Sequence, residues 1–153
     1  MANTYTQLNI QIVFSVKGRD NFLLQSFRPQ LFEYISGILR GLEQYPLCVG
    51  GYKDHVHAFF ELNPKTSLSE IAGKVKSGSS KWINDNRFLP GKFQWQTGYG
   101  GFSYSKSQRD RVIQYILNQE QHHKQKTFRE EYLDLLKKFE IEFKNEYVFE
   151  FYD

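Results

Sequence analysis

Leu8, Ile10, Ile12, Phe14 and Val16 alternate along the chain with Gln7, Asn9, Gln11 and Ser15, which is the period-two signature of a strand with one face on a core. From Phe27 to Leu42 the period lengthens. Leu31, Ile35, Ile38, Leu39 and Leu42 form one stripe, and Pro29 sits near the start, where a helix tolerates proline. Two short β-rich runs follow, Leu47–Tyr52 and Val56–Leu62, and the turn Lys53-Asp54-His55 between them predicts a hairpin. Ser67-Leu68-Ser69-Glu70 fits a capping box and predicts a second helix, through Ile71, Val75 and Trp82 to about Asn86. Phe93–Gln96 and Phe102–Tyr104 read as short strands on either side of Gly98-Tyr99-Gly100-Gly101, a flexible joint. A third helix is predicted from Ser107, as its cap, to His123. A fourth runs from Thr127 to about Phe139, with Thr127-Phe128-Arg129-Glu130 as another box.

The order β-α-β-β-α-β with added helices predicts an α+β chain. It suits a ferredoxin-like split βαβ, an antiparallel sheet with helices on one face. No repeat or linker divides residues 1–153, so a single domain is expected. No run reaches the roughly 20 apolar residues of a membrane helix, and Met1–Tyr5 lacks a signal-peptide layout. A lone Cys48 excludes an internal disulfide and a cysteine-based zinc finger. The chain reads as cytosolic. Its charge is divided: residues 1–123 carry 14 Lys/Arg against 9 Asp/Glu, and residues 124–153 carry 6 against 8. A basic middle suits an anionic partner that meets part of the surface. Aromatic residues reach 17%, which core packing explains more simply than base stacking.

Candidate chemistry is concentrated in two places. In Asp54-His55-Val56-His57 the two imidazoles share one face of a strand and offer adjacent metal ligands. In Tyr115-Ile116-Leu117-Asn118-Gln119 a possible nucleophile and a neutral oxygen ligand are one helical turn apart. His122 and His123 follow, either as further ligands or, the preferred reading, as cations closing a helix C-terminus with a phosphate contact. Cys48 reads as a small core residue. The carboxylates are scattered, with no evident metal cluster. No phosphate loop, dinucleotide fingerprint or nucleophile elbow is present, so no organic cofactor is expected.

The two constellations together resemble the single-tyrosine transposases of the smallest bacterial insertion sequences, members of the His-hydrophobic-His nickases. The likeness extends through Ile12–Arg19, Lys76–Ile83, Trp95–Ser103 and Tyr115–His123, covering most of residues 8–139. It departs at Gln11, where histidine is common in the family. The resemblance implies that Tyr115 attacks a phosphorus of single-stranded, hairpin-bearing DNA and forms a 5′-phosphotyrosine. It further implies that His55, His57 and Gln119 hold Mg²⁺ or Mn²⁺, in a bacterial cytoplasmic homodimer with active sites shared between subunits, the glycine joint freeing the Tyr115 helix from its own sheet. Lys74, Lys76, Lys81, Arg109 and Arg111, with His122 and His123, are the candidate DNA contacts. Trp82, Trp95, Tyr99 and Tyr104 are candidate stacking rings, each better explained as core. Three other readings compete: a domesticated relative acting on repeated palindromes, a non-catalytic ferredoxin-like nucleic-acid-binding module, and a small zinc hydrolase using His55, His57 and His122 or His123.

Overall fold

The alternating first segment forms β1 (Asn9–Ser15), the strand on which the sheet is assembled. In the computed structural model, which describes residues 3–152, α1 (Arg28–Gly41) follows, and then the hairpin β2 (Tyr45–Gly51) and β3 (His55–Glu61). Next come α2 (Leu68–Asp85) and β4 (Gly100–Tyr104), with α3 (Arg109–Leu117), α4 (Gln119–His122) and α5 (Phe128–Lys138) completing the helices. All strand pairs are antiparallel, in the order β2-β3-β1-β4. This is the open sheet of the ferredoxin-like arrangement. No helix among the described residues is long and apolar enough to cross a membrane.

Each face of the sheet has its own layer. Ile12 and Phe14 of β1, with Val56, Ala58 and Phe60 of β3, lie in the core cluster that holds Leu31, Ile35 and Leu39 of α1 and Ile71, Ala72 and Val75 of α2. On the other face, Phe59 packs with Val112 and Ile116 of α3. The polar side of β1 is therefore covered too. Asn9, Gln11 and Ser15 are all buried, where alternation alone predicts a solvent face. Buried polar groups persist only where they find partners, and on this face the partners belong to the site.

Local chemistry explains the boundaries. Ser67 Oγ accepts the Glu70 N–H at 3.2 Å and starts α2. Thr127 and Glu130 close a reciprocal box at the start of α5. Three expectations are corrected. Phe93–Gln96 is not a strand: a single bridge joins Val16 to Trp95, and the Asn84 amide takes both the N–H and the C=O of Phe93, as a paired strand would. The third helix does not start on a Ser107 cap; a 3₁₀ turn, Lys106–Gln108, precedes α3, and the Ser105 N–H donates to Gln108 Oε1 at 2.9 Å. Nor does it run unbroken to His123, because Asn118 leaves helical geometry (φ −95°, ψ 14°) and separates α3 from α4.

The expected joint is also different. Gly100 and Gly101 belong to β4. A Cβ on Gly100 would lie 2.5 Å from the Tyr132 hydroxyl, so that glycine admits α5 to the sheet edge. Of the joint's three glycines, Gly98 alone takes a left-handed conformation, at φ +90°. The mechanical argument for releasing the Tyr115 helix is removed.

Candidate active site

The register of β1 and β3 sets the first two groups. His57 pairs with Val13 and His55 with Ser15, so both imidazoles leave the sheet on the face covered by α3–α5. Both are fully buried. His55 Nδ1 lies 2.7 Å from Asp54 Oδ1. Asp54 is held below its usual range: burial opposes ionisation, but the hydrogen bond and charge of His55 outweigh it. As an ionised acceptor it takes the Nδ1 proton, which leaves His55 Nε2 facing inward. His57 Nδ1 lies 2.6 Å from Gln11 Oε1, and Gln11 Nε2 donates to the Tyr104 hydroxyl at 2.8 Å. Gln11 thus orients one of the two histidines. Phe128 fixes the plane of His55 by stacking on it, with ring centroids 4.1 Å apart.

The break at Asn118 rotates the next side chains inward. Gln119 Oε1 lies 2.7 Å from His55 Nε2 and 2.9 Å from His123 Nε2. His122 and His123 do close a helix, as the last-turn and C-cap residues of α4, but their rings turn towards the site. His123 is held by Lys126 O, 2.7 Å from its Nδ1, and stacks against Tyr52. His122 points at the same centre, with its Nε2 3.4 Å from Glu131 Oε2 and no hydrogen bond.

Glu131 is the residue that sequence reasoning missed. It is buried, and His57 Nε2 and His55 Nε2 lie 3.1 and 3.3 Å from its Oε1. Its Oε2 accepts Gln119 Nε2–H at 2.8 Å and the Tyr115 O–H. The available signal was its position on α5: Phe128, Glu131, Tyr132 and Leu136 share the buried stripe, and a carboxylate on such a stripe needs a partner.

The electrostatics follow from this crowding. Burial opposes charge on His55, yet Asp54 and Glu131 outweigh it and lift the imidazole to about 9. For His57 burial wins and the shift is downward. Burial also opposes charge on Glu131, but the His57 charge and the surrounding imidazoles of His122, His123 and His55 hold it far below the carboxylate range. Burial, reinforced by the Glu131 charge, pushes the Tyr115 phenol well above 10.

His55 Nε2 faces both Gln119 Oε1 and Glu131 Oε1, and His57 Nε2 faces Glu131 Oε1. His55, His57 and Glu131 can present ligand atoms to one ion. Donors about 2.1 Å from a common cation stand about 3.0–3.4 Å apart, which matches the 3.1 and 3.3 Å separations around Glu131. The residues fit a divalent metal.

Comparison with known proteins decides the family. Residues 4–119 match the family described as "Transposase IS200 like". The chain belongs to the IS200-like transposases. The matched segment includes His55, His57, Tyr115 and Gln119, and stops short of Glu131. Comparison with curated protein sequences gave no match. Two solved structures share the fold. One, given as a transposase from Deinococcus radiodurans R1, has a TM-score of 0.62 at 18% identity, covering 78% of this chain and 95% of its own. The other, a REP-associated tyrosine transposase bound to a REP hairpin, has a TM-score of 0.58 at 14% identity, covering 80% and 73%.

The remaining candidates have varied settings. Arg111 lines a cleft of about 280 Å³ together with Gln11, Tyr104, Tyr115, Lys126, Glu131 and Lys138. Lys76 instead donates to the carbonyls of Gln96 and Gly98, both at 2.7 Å, and burial lowers its pKa. Arg109 is tied to Asn9, Gln7 and Glu61, and Lys81 pairs with Asp85 on the surface. Lys74 is exposed on α2. Trp95 is core, its indole N–H donating to Ser79, and Trp82 stacks on Tyr34. Tyr104 packs on Phe59 and Phe139, and Tyr99 lies against the core cluster.

Proposed function

We propose that this transposase cleaves and rejoins single-stranded DNA at hairpin-bearing ends through a covalent Tyr115 intermediate. One observation carries the reading: the Tyr115 hydroxyl lies in an open cleft and donates to the carboxylate that also meets His55 and His57. A phenol is a poor nucleophile while it keeps its proton. Here Glu131 Oε2 accepts its hydrogen bond and holds the oxygen in the cleft, and a bound divalent ion would lower the cost of losing the proton. The phenolate oxygen then forms a bond to phosphorus, the bond to the 3′-oxygen breaks, and that oxygen leaves as a hydroxyl after taking up a proton. The phosphodiester energy stays in the tyrosyl link, so the reverse attack by a 3′-hydroxyl rejoins strands.

His55, His57 and Gln119 would hold the divalent ion, whose bound form polarises the phosphate and offsets developing charge. Arg111 and Lys138, at the cleft, would bind backbone phosphates; Lys74 and Lys81 extend a basic surface on α2. The hairpin carried by the REP-associated neighbour supports a folded single strand as substrate. A homodimer remains part of this reading. Because Tyr115 already packs against its own His57, with ring centroids 5.8 Å apart, each subunit would hold a complete set and exchange of the Tyr115 helix would be a later step.

The test uses end-labelled single strands from the DNA flanking the gene, with divalent metal. Wild type should give an SDS-resistant adduct and Tyr115→Phe none. An equal adduct from Tyr115→Phe would overturn the assignment of the nucleophile, and equal cutting of duplex would overturn the substrate class.

A further inference from the structure

We propose that the cleft beside Tyr115 is a pocket for one unpaired nucleotide, and that its lining selects a base with keto oxygens, thymine or guanine, next to the phosphate that Tyr115 attacks. The inference rests on the strand-cleavage reading above and extends it to the base that the chain accepts.

The cleft has the size and the walls for this. It lies between α3, with Gln108, Arg111 and Val112, and α5, with Asp134, Leu135 and Lys138. Its volume of about 280 Å³ is at the small end of ligand sites, enough for one nucleotide and too little for a duplex. Val112 is buried and Leu135 partly buried, which gives apolar surfaces for the face of a base. Tyr104 adds a ring held in place by Phe59 and Phe139. Unpaired bases are held in this manner, against rings and apolar side chains with their edges hydrogen-bonded. Arg111 and Lys138 are exposed at the rim, where the sugar-phosphate chain would pass. A base is joined to its phosphate through a single sugar, so a phosphate at the Tyr115 oxygen brings a neighbouring base into this same cleft.

The hydrogen-bonding groups of the lining are unequal. Gln108 Oε1 is taken by the Ser105 N–H at 2.9 Å and the Ser105 hydroxyl at 3.2 Å, so its NH₂ group is left to donate. The Tyr104 oxygen accepts from Gln11 Nε2 at 2.8 Å, which leaves its own O–H to donate. The carboxylates are already engaged. Asp134 pairs with Lys126, and Glu131 Oε2 accepts from Gln119 and Tyr115. What the lining has to spare is chiefly donors. Thymine O4, and guanine O6 and N7, are acceptors, whereas cytosine N4 and adenine N6 carry donors. The keto bases therefore find partners here, and an amino base sets donor against donor.

The test compares single strands that carry each of the four bases, or an abasic site, at every position around the adduct. At one position next to the scissile phosphate, thymine or guanine should exceed cytosine and adenine in kcat/KM by about tenfold, and an abasic site there should be as poor as the amino bases. Gln108→Glu keeps the oxygen that Ser105 needs and replaces the NH₂ donor with an acceptor. The keto-to-amino ratio should then fall about tenfold or invert, whatever the added charge does to the overall rate. Leu135→Trp, which fills the cleft, should abolish the ratio, with circular dichroism checking the fold. A second readout needs no cleavage. Thymidine 3′,5′-bisphosphate should shift the amide NMR signals of residues around the cleft, and deoxycytidine 3′,5′-bisphosphate should need about tenfold more to do so. Equal rates for all four bases, a ratio unchanged in Gln108→Glu, or bisphosphates that bind alike would each overturn the proposal. An adduct formed without base preference leaves the strand-cleavage reading standing. Selective bisphosphate binding with no adduct on any single strand sinks that reading instead, and the pocket's preference stands.

Discussion

Gln11 Oε1 lies 2.6 Å from His57 Nδ1, and this contact decides which nitrogen of His57 faces the site. The carboxamide is held in turn by its donation to Tyr104. Replacing Gln11 with leucine keeps the volume and removes the acceptor, so His57 can tautomerise or rotate. Divalent-metal affinity is expected to fall by roughly 10–100-fold, the range for lost ligand-orienting bonds, with little change in melting temperature. Isothermal titration of wild type and Gln11→Leu checks this, and equal affinities would contradict it.

Gly50 sets the height of the helix that carries Tyr115. A Cβ there would come within 2.8 Å of Ile116 Cγ2 and 2.9 Å of the Ile116 carbonyl. The backbone oxygen cannot swing away, so Gly50→Ala must push α3 off β2. A loss of about 1–3 kcal/mol is expected from such overpacking. Adduct formation should fall further than stability alone explains, because Tyr115 moves with the helix. Urea melts beside single-turnover cleavage separate the two effects.

Cys48 is expected to be unreactive. Burial pushes its thiol up to about 11, so the thiolate that reacts is scarce at pH 8. Iodoacetamide should label the native protein far more slowly than the urea-unfolded chain. Similar rates in the two states would show an open, ionised cysteine.

Tyr132 should mark an alkaline limit to stability. Burial raises its phenol from 10.0 to about 12. Between those values the unfolded chain has lost this proton and the folded chain has kept it, so stability is full below pH 10 and declines as pH rises towards 12. Chemical denaturation at pH 9, 10 and 11 should show the decline, and Tyr132→Phe should lessen it without removing it, because burial raises Tyr104 and Tyr115 as well. An unchanged slope in the variant would place the effect elsewhere.

Alternation and helical spacing were enough to place β1, the hairpin, α1, α2 and α5 close to their observed bounds, because each buries one face against a neighbour and that burial leaves a local period. Ser67 and Thr127 marked their helix starts for a similar reason: a cap is made within four residues. The pairs His55/His57 and Tyr115/Gln119 were legible as pairs, since strand and helix geometry fix neighbours two and four positions apart. Beyond that reach the sequence is silent. Glu131 is 74 residues from His57 and on another element, and no local period connects them. The burial of the polar face of β1 depends on a second layer of helices, which turns Gln11 from a solvent-facing residue into the orienting partner of His57. Lys76 became a clamp on the 96–98 loop and His123 an inward nitrogen for the same reason. Local periodicity records which way a side chain leaves its own element; what it meets is decided where elements distant in sequence are packed together.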